Sequence, residues 1–331
     1  MLKIKKYIQL IMFLFLTAII LSSCFGCSSD KSKIEFTIGV MQYSEAESLS
    51  DCYKGFIDGL AEAGYKNEVN IKIAYKTAAG DASTAATIAN YLVNYNCDLI
   101  CSLTTVNSLA IKQKTDKIPV VMCAVTEPEY SGLVQSNEHP GGNLTGMSDL
   151  SPIFGQVELL QKLVQDVNVV GILYCSSETN ALPQADKFMK ALEEAGINYI
   201  NSPISQIDEL KLTIDTLSNK VDALYVAPDN IMVASANLVS NTAIDAGLPI
   251  ISSYGLVHGG ALASFGVDYY ELGKSTAEMA LRILVDGENP GDIPIGYQAK
   301  ETMRAVINEK TANALGLNIP DEIMKTAIIL K

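Results

Sequence analysis

The sequence has no tryptophan, only two histidines and few basic residues for its length. Its 331 residues include 24 Lys and Arg against 37 Asp and Glu, which gives a formal net charge of −13. Because nucleic-acid binding needs a basic surface to meet the phosphates, this balance excludes a nucleic-acid-binding protein. His139 and His258 belong to no HExxH motif, and no Cys/His cluster has the spacing of metal ligands.

Motifs for catalysis are equally scarce. The sequence contains no G-x-S-x-G serine elbow. Gly273, Lys274 and Ser275 resemble the end of a phosphate-binding loop, but the first glycine of that motif would fall on Asp268. We therefore predict a protein that is not an enzyme and that carries no metal or other cofactor.

Low-complexity and collagen-like segments are also missing, and 48 % of the residues are hydrophobic. A hydrophobic fraction this high predicts a folded chain rather than a disordered one. A length of 331 residues suits two domains of roughly 100–200 residues each.

The N-terminus has the pattern of an export signal. Three lysines precede an apolar run over residues 7–21, and small residues lead directly to Cys24. Such a run is short for a membrane-spanning helix and is typical of a signal peptide. The cysteine after small residues resembles a bacterial lipobox, which implies that residues 1–23 are removed and that Cys24 is lipidated. Residues 24–33 would then tether the protein to the outer face of the cytoplasmic membrane. The alternative is an N-terminal anchor that stays attached.

Seven cysteines in an exported chain raise the question of disulfide bonds. Cys24 and Cys27 belong to the predicted anchor. The others are Cys52, Cys97, Cys101, Cys123 and Cys175. They lie in or beside apolar segments and form no CxxC pair, and cysteine packs as a small hydrophobe. We predict that they are buried free thiols, with a structural disulfide as the alternative.

Strand-like and helix-like segments alternate along the chain after residue 33. A β-rich run over residues 35–42 leads to helical spacing over residues 49–63, and the alternation continues to residue 125 and resumes after Asn143. This pattern predicts an α/β fold with parallel sheets covered by helices on both faces.

The two halves of the chain also repeat one spacing. Gly39 lies in a strand-like run, and Gly64 closes a helical run 25 residues later; Gly171 and Gly196 repeat this interval. Glycine suits the left-handed position that follows a helix. The repeat predicts two similar doubly wound lobes. The alternative is that all doubly wound folds contain segments with such spacing.

Polar and aromatic residues follow the predicted strands of both halves. Because ligands of doubly wound folds bind beyond the carboxyl ends of the strands, we predict that these residues bind a ligand. In the first half they are Gln42, Tyr43, Ser44, Thr104, Thr105, Thr126 and Glu127. In the second half they are Tyr174, Ser177, Glu178, Asn180, Asp229, Asn230 and Tyr254. Helix capping is the alternative for Thr105, Ser177 and Asp229, and core packing is the alternative for the tyrosines.

Several longer stretches resemble one known family. They are residues 118–128, 141–146, 170–174, 227–230 and 253–270. Together they are similar to the substrate-binding lipoproteins of ABC transporters, in the family that includes tryptophan- and tyrosine-type binding components. The resemblance covers the chain from about Ile34 to its end.

The resemblance implies a type I periplasmic-binding-protein fold, in which three crossovers join two lobes. The crossovers would fall near Asp149, Tyr269 and Pro294. Lobe 1 would hold residues 34–148 and 270–292, and lobe 2 would hold residues 150–268 and 297–331. The family's binding positions would fall on Thr126, Glu127, Asn180, Asp229, Asn230 and Asp268. Family members often have aspartate where this chain has Glu127, and Gln42 matches the pattern less clearly.

The predicted function is the capture of a small ligand between the lobes, followed by delivery to an ABC permease with its ATPase subunits. The ligand would be an amino acid, with aromatic ones preferred. Asp229 would hold its ammonium group, and Thr104, Thr105 and Thr126 would receive its carboxylate. Tyrosines would flank the side chain, and the protein would act as a monomer.

Three alternatives remain open at the level of sequence. A lipoprotein that senses a ligand and signals through a membrane receptor would share every feature above. A lipoprotein enzyme with an α/β fold is a further alternative. The effector domain of a transcription regulator is disfavoured, because the chain has an export signal and no helix-turn-helix.

Overall fold

The computed structural model describes residues 34–252 and 254–331. The predicted signal peptide, Cys24 and the tether lie outside the described residues. Within the described ranges, no helix is both long enough and apolar enough to cross a bilayer.

Strands and helices alternate along the described chain. The strands are β1 (Phe36–Gln42), β2 (Ile71–Thr77), β3 (Leu99–Leu103), β4 (Val120–Cys123), β5 (Leu144–Ser148), β6 (Val169–Leu173), β7 (Asn198–Asn201), β8 (Ala223–Val226), β9 (Ile250–Ser252), β10 (Ala263–Gly266), β11 (Gly296–Tyr297), β12 (Arg304–Asn308) and β13 (Ile328–Leu330). The α-helices are α1 (Glu47–Glu62), α2 (Ala82–Asn94), α3 (Thr105–Lys112), α4 (Ile153–Leu163), α5 (Ala181–Glu194), α6 (Leu210–Leu217), α7 (Asn230–Ala234), α8 (Ala236–Asp245), α9 (Tyr269–Leu284), α10 (Glu309–Ala314) and α11 (Asp321–Met324).

The strands form two sheets with the same internal order. The first sheet runs β11-β5-β4-β3-β1-β2 and the second runs β13-β12-β10-β9-β8-β6-β7. Every pair in the first sheet is parallel, whereas β10 and β12 in the second are antiparallel. The order β2-β1-β3-β4-β5 thus recurs as β7-β6-β8-β9-β10. The predicted fold of two similar doubly wound lobes is confirmed.

Helix α9 packs against α1 of the first lobe at very short range. A Cβ atom on Gly55 would lie 2.0 Å from the carbonyl oxygen of Tyr270, and one on Gly273 would lie 2.1 Å from that of Cys52. Only glycine permits backbones to approach this closely. The contact ties α9 to the first lobe, although the preceding strand β10 belongs to the second sheet.

The chain passes between the lobes three times. It leaves the first sheet after β5, returns between β10 and α9, and leaves again after β11. Gly296 and Tyr297 pair with Met147 and Ser148 of the first sheet, so the third crossing follows Tyr297 rather than Pro294. A strand of two residues has no alternating pattern that a sequence could display. The remaining lobe boundaries stay predictions.

The apolar cores lie between each sheet and its helices. Strands β3 and β4 are buried along their whole length, as expected for central strands covered on both faces. The five cysteines of the described residues are buried and form no disulfide there, so their predicted burial is confirmed.

Candidate functional site

The strand order of the two sheets brings four polar residues to one place. In each sheet the first strand has the second strand on one side and the third on the other: β2 and β3 flank β1, and β7 and β8 flank β6. Loops after such a pair of strands diverge and leave a crevice at their carboxyl ends. Ser44 and Thr104 follow β1 and β3, and Asn180 and Asp229 follow β6 and β8. A cavity lies between the lobes and is lined by all four.

Four buried side-chain atoms around this cavity have no hydrogen-bond partner among the described residues. They are Ser44 Oγ, Thr104 Oγ1, Asp149 Oδ1 and Asn180 Oδ1. Each of these residues is at most 7 % exposed. A buried polar atom without a partner costs about 1–3 kcal/mol, and most such atoms in proteins are bonded. Their position around one cavity leaves them available to the polar groups of a ligand.

The backbone beside the cavity is strained at two strand ends. Thr104 has φ 88° and ψ 161°, a conformation that glycine adopts readily and a β-branched residue does not. Ala124, which also lines the cavity, has φ 57°. Strain of this kind costs about 1–3 kcal/mol per residue and concentrates at functional sites. Both residues lie in the first lobe.

Asp149 lies where the chain first leaves the first lobe. Its Oδ2 accepts a hydrogen bond of 2.8 Å from the Tyr269 hydroxyl, whereas its Oδ1 has no partner. Burial raises the pKa of Asp149, and the nearby hydroxyl groups of Thr126 and Tyr269 oppose this rise. No Lys, Arg or His is among the described residues that line the cavity. A buried carboxylate with no cationic partner favours the binding of a positively charged group.

Asp229 also lines the cavity, but both of its oxygens are used by the backbone. Oδ1 accepts from the Met232 amide at 2.9 Å and so caps α7, and Oδ2 accepts from the Cys175 amide at 2.5 Å. Burial raises the pKa of Asp229 to about 6, although these backbone N–H groups lower it. The geometry therefore favours the capping role that the sequence left open for this residue.

Glu178 is a second buried acid of the second lobe. Its Oε2 accepts from the side-chain amide of Asn230 at 2.7 Å. Burial and the nearby charge of Asp229 raise the pKa of Glu178 to about 7, although the Asn230 hydrogen bonds lower it. Tyr43 of the first lobe lies close enough for burial and the charge of Glu178 to raise its own pKa to about 12.

A neighbouring pocket between the lobes collects another part of the predicted set. Tyr43, Thr105, Ser177 and Glu178 line it, together with Asn180, which lines both pockets. The hydroxyl of Tyr43 donates to the carbonyl oxygen of Gly80 at 2.8 Å. Part of the predicted set therefore divides between two adjoining parts of one cleft.

Gln42 is buried and contacts protein groups rather than the cavity. Its Nε2 donates to the carbonyl oxygen of Ser44 at 2.8 Å and to Ser50 Oγ at 3.3 Å, and its Oε1 accepts from the Tyr75 hydroxyl at 3.1 Å. Gln42 thus holds the backbone of Ser44, whose hydroxyl faces the cavity. It supports the site without lining it.

Glu127 joins the lobes outside the cavity. Its Oε1 accepts from Gln184 Nε2 at 2.6 Å and from the ammonium group of Lys187, both on α5 of the second lobe. A second contact across the cleft joins His258 Nδ1 to Glu47 Oε2 at 2.9 Å. Glu127 therefore has the geometry of a contact that holds the lobes together.

The other predicted residues occupy varied positions. Thr126 and Asn230 line the cavity, whereas Tyr174 packs in the core of the second lobe. Asp268 caps α9 by accepting from the amides of Tyr270 and Glu271, and it is not among the lining residues. Tyr254 begins a short 3₁₀ helix, and its side chain lies outside the described part of the structure.

Some residues of the cavity were missed by sequence reasoning. Asp149 and Tyr269 were expected only as crossover positions, and both line it. Asp149 could have been found from its position, because it is an acid directly after the buried strand β5. Among the described residues, no group of three or more His, Cys, Asp or Glu could hold a metal ion.

Comparison with known proteins gives a consistent family. Residues 37–331 match the family described as ABC transporter substrate binding protein. A protein of Clostridioides difficile strain R20291 named a tyrosine-binding protein is 38 % identical over 287 residues, which cover 86 % of this chain and 82 % of that protein.

Two solved structures extend the comparison to the arrangement of the lobes. An ABC domain from Streptococcus pneumonia in complex with L-Trp is 35 % identical, with a TM-score of 0.84 over 89 % of this chain and 100 % of that one. A ligand-free, open substrate-binding protein with adhesive properties from Clostridium difficile is 32 % identical, with a TM-score of 0.69 over 89 % of this chain and 99 % of that one. The present structure is therefore more similar to the L-Trp complex than to the open form.

Proposed function

The chain belongs to the family of ABC transporter substrate-binding proteins, and on that basis we propose that it captures an aromatic amino acid, tyrosine or tryptophan. One relative is named a tyrosine-binding protein, and another was solved in complex with L-Trp. These names describe the relatives, and they supply the ligand class proposed for this chain.

One observation carries the proposal, which is the cavity with unpartnered polar atoms from both lobes. Ser44 and Thr104 belong to the first lobe, Asn180 belongs to the second, and Asp149 lies at the crossing between them. A ligand that completes these atoms contacts both lobes at once, so its binding energy stabilises the closed arrangement. Capture of this kind requires no bond to be made or broken, and the protein is proposed to act without enzymatic activity.

The cellular context follows from the family and the N-terminal pattern. We propose that the protein is exported, lipidated at Cys24 and held at the outer face of the cytoplasmic membrane. As a monomer it would deliver its ligand to an ABC permease driven by ATPase subunits. Mass spectrometry of protein purified from membranes tests the anchor, because a peptide that starts at a lipidated Cys24 is expected.

Calorimetric titration of the purified protein tests the ligand class. L-Tyrosine, L-tryptophan, L-leucine and a sugar such as myo-inositol are titrated separately. Saturable binding of one aromatic amino acid per chain is expected. Because the chain contains no tryptophan, indole fluorescence of the protein after removal of free ligand reports bound L-tryptophan directly. Binding of the sugar without binding of any amino acid would contradict the proposal.

Uptake of the bound amino acid by cells separates import from sensing. Cells that lack the protein are expected to lose high-affinity uptake and to regain it when the gene is restored. Unchanged uptake, together with a lost transcriptional response to the amino acid, would instead support the sensing alternative.

A further inference from the structure

A groove beside the cavity runs between the lobes on the side of α1. Ser44 and Glu47 line it from the first lobe, and Gly255 and His258 line it from the second. Ser44 and Gly255 also line the cavity, so the groove adjoins the cavity at these two residues. On each side, a longer side chain follows three positions later, Glu47 or His258. The groove leads from the cavity toward the surface, where the Glu47 side chain is 61 % exposed.

Glu47 and His258 meet across this groove. His258 Nδ1 lies 2.9 Å from Glu47 Oε2. Glu47 begins α1 of the first lobe, whereas His258 lies in the 3₁₀ turn Tyr254–Gly259 between β9 and β10 of the second. The turn and the helix also approach beside this contact, because a Cβ atom on Gly255 would lie 3.4 Å from Ser48 Oγ. The lobes cannot separate on this side without breaking the contact between Glu47 and His258.

Two acids of α1 interact with His258. Asp51 lies one helical turn after Glu47. Burial and the charge of Glu47 raise the pKa of Asp51, whereas the charge of His258 lowers it. Asp268 and Lys54 act on the same carboxyl group more weakly. A positive charge on the imidazole would therefore be attracted by both Glu47 and Asp51.

The second lobe adds little charge around His258. The elements of this lobe that pack against its turn are α7, α8, β9, β10 and β12. Their charged residues are Asp245, at the far end of α8, and Arg304, whose guanidinium group donates to two backbone carbonyl oxygens. Asp229, which caps α7, accepts from backbone amides through both of its oxygens. Glu45 of the first lobe also lines the groove, so acids predominate on the side that faces His258.

The other flank of the cleft closes through a pair of different chemistry. Glu127 of the first lobe contacts Lys187 of the second. Lysine and glutamate normally keep their charges between about pH 5 and 8, whereas histidine normally changes its charge within that range. A hydrogen bond with an ionised partner gains strength when the other partner is ionised as well. Of these two contacts, the one between Glu47 and His258 is therefore the one that responds to pH near neutrality.

We propose that Glu47 and His258 form a proton-dependent gate that slows release of the ligand, an inference that rests on the proposed capture of an amino acid. Release requires the lobes to separate, so the gate opens before the ligand leaves. At acidic pH the imidazolium of His258 binds the Glu47 carboxylate, which stabilises the closed form, and closing takes up a proton. As the pH rises through the titration of the imidazole, this stabilisation is lost.

Release of radiolabelled L-tyrosine into an excess of unlabelled L-tyrosine tests the gate at pH 5.5 and pH 8. L-Tryptophan replaces it if the calorimetric titration selects that amino acid. His258→Gln keeps a polar side chain that does not titrate. It should release the ligand about two- to fivefold faster than the parent protein at pH 5.5 and at about the parent rate at pH 8. A pH effect from Glu178 enters both proteins equally, so the ratio of their rates isolates the gate.

Two further variants show whether the residues act as a pair. Glu47→Gln should give the same ratios as His258→Gln, and the double variant should add nothing to either. His139→Gln is the matched control, because His139 is the other histidine of the chain and is exposed in the first lobe. It should release the ligand at the parent rate at both pH values.

The outcomes separate the gate from the proposed function. If His258→Gln releases the ligand at the same rate relative to the parent at both pH values, or if the effects of the two variants add, the gate is wrong and the proposed function stands. If the unaltered protein binds neither L-tyrosine nor L-tryptophan, the proposed function fails and the gate fails with it. Should His258→Gln not fold, Glu47→Gln decides alone, since its exposed side chain makes the substitution mild.

Discussion

The two lobes repeat one strand order, but they use the polar residues after their strands in different ways. In the first lobe the hydroxyl groups of Ser44 and Thr104 are buried without partners, and Thr104 has a strained backbone. In the second lobe Asp229 and Glu178 accept hydrogen bonds from their own lobe. The first lobe thus keeps polar groups free at a cost in stability, whereas the two buried acids Asp229 and Glu178 stabilise loops of the second lobe.

Among the variants that test the difference between the lobes, Asp229→Ala is expected to change the free energy of unfolding most. The variant leaves the amides of Met232 and Cys175 without their acceptor in a buried place, so we expect a loss of about 2–4 kcal/mol in the free energy of unfolding. Urea denaturation measures it. Asp81→Ala is the matched control, because Asp81 caps α2 at an exposed position through Thr84 alone. Equal losses in both variants would show that Asp229 adds no more than an ordinary cap.

The acid pair of the second lobe predicts a pH dependence of stability. Burial and the charge of Asp229 raise the pKa of Glu178 from 4.5 to about 7, so the folded state binds more protons than the unfolded state between these values. Stability is therefore greatest below the unfolded pKa and is lost as the pH rises through about 7. Glu178→Gln should flatten this decline, as measured by urea midpoints from pH 5 to pH 8.

The exposed Glu194 provides the control for this profile. Glu194→Gln should keep the decline of the parent protein, because its carboxyl group faces solvent. A decline that survives unchanged in Glu178→Gln would assign the pH dependence to another group, and Asp229, with its pKa raised to about 6, would be the next to test.

Residue periodicity predicted the fold well because burial acts on whole segments. The strand expected over residues 35–42 is β1, Phe36–Gln42, and the helix expected over residues 49–63 is α1, Glu47–Glu62. Apolar spacing marks such elements along the chain itself, so no distant contact is needed to find them. The short strand β11 was missed because two residues carry no period.

The candidate site was less predictable because its chemistry depends on contacts between distant residues. Which oxygen of Asp149 stays available depends on Tyr269, 120 positions later, because the Tyr269 hydroxyl donates to the other oxygen. Gln42 follows the expected pattern of a polar residue at a strand end, but Tyr75 and the Ser44 backbone use its side chain. Sequence position indicates which residues reach the cleft, and only the packed structure indicates which atoms remain available there.

In the first lobe, Thr104→Val is expected to change the free energy of unfolding less than Asp229→Ala and in the opposite direction. Valine has the same shape as threonine but lacks the hydroxyl that is buried without a partner, so we expect a gain of about 1 kcal/mol in the ligand-free free energy of unfolding. Thr276→Val is the matched control. The Thr276 hydroxyl is buried and donates to the Leu272 carbonyl at 2.8 Å, so its removal should destabilise the protein. A loss of stability in both variants would indicate that the Thr104 hydroxyl is bonded within the first lobe.

The smallest effect is expected from the ion pair that joins the lobes. Lys187 of the second lobe pairs with Glu127 of the first, and the Lys187 side chain is 50 % exposed. Partly exposed pairs contribute about 0.2–1 kcal/mol, so Lys187→Ala should weaken ligand binding by up to about fivefold, mainly through faster ligand release. Lys211→Ala is the control, because Lys211 pairs with Asp215 within α6 and should not alter release. Stopped-flow release rates measure both variants. If the two changed release equally, Lys187 would act through the second lobe alone, and the difference between the lobes would be confined to the cavity.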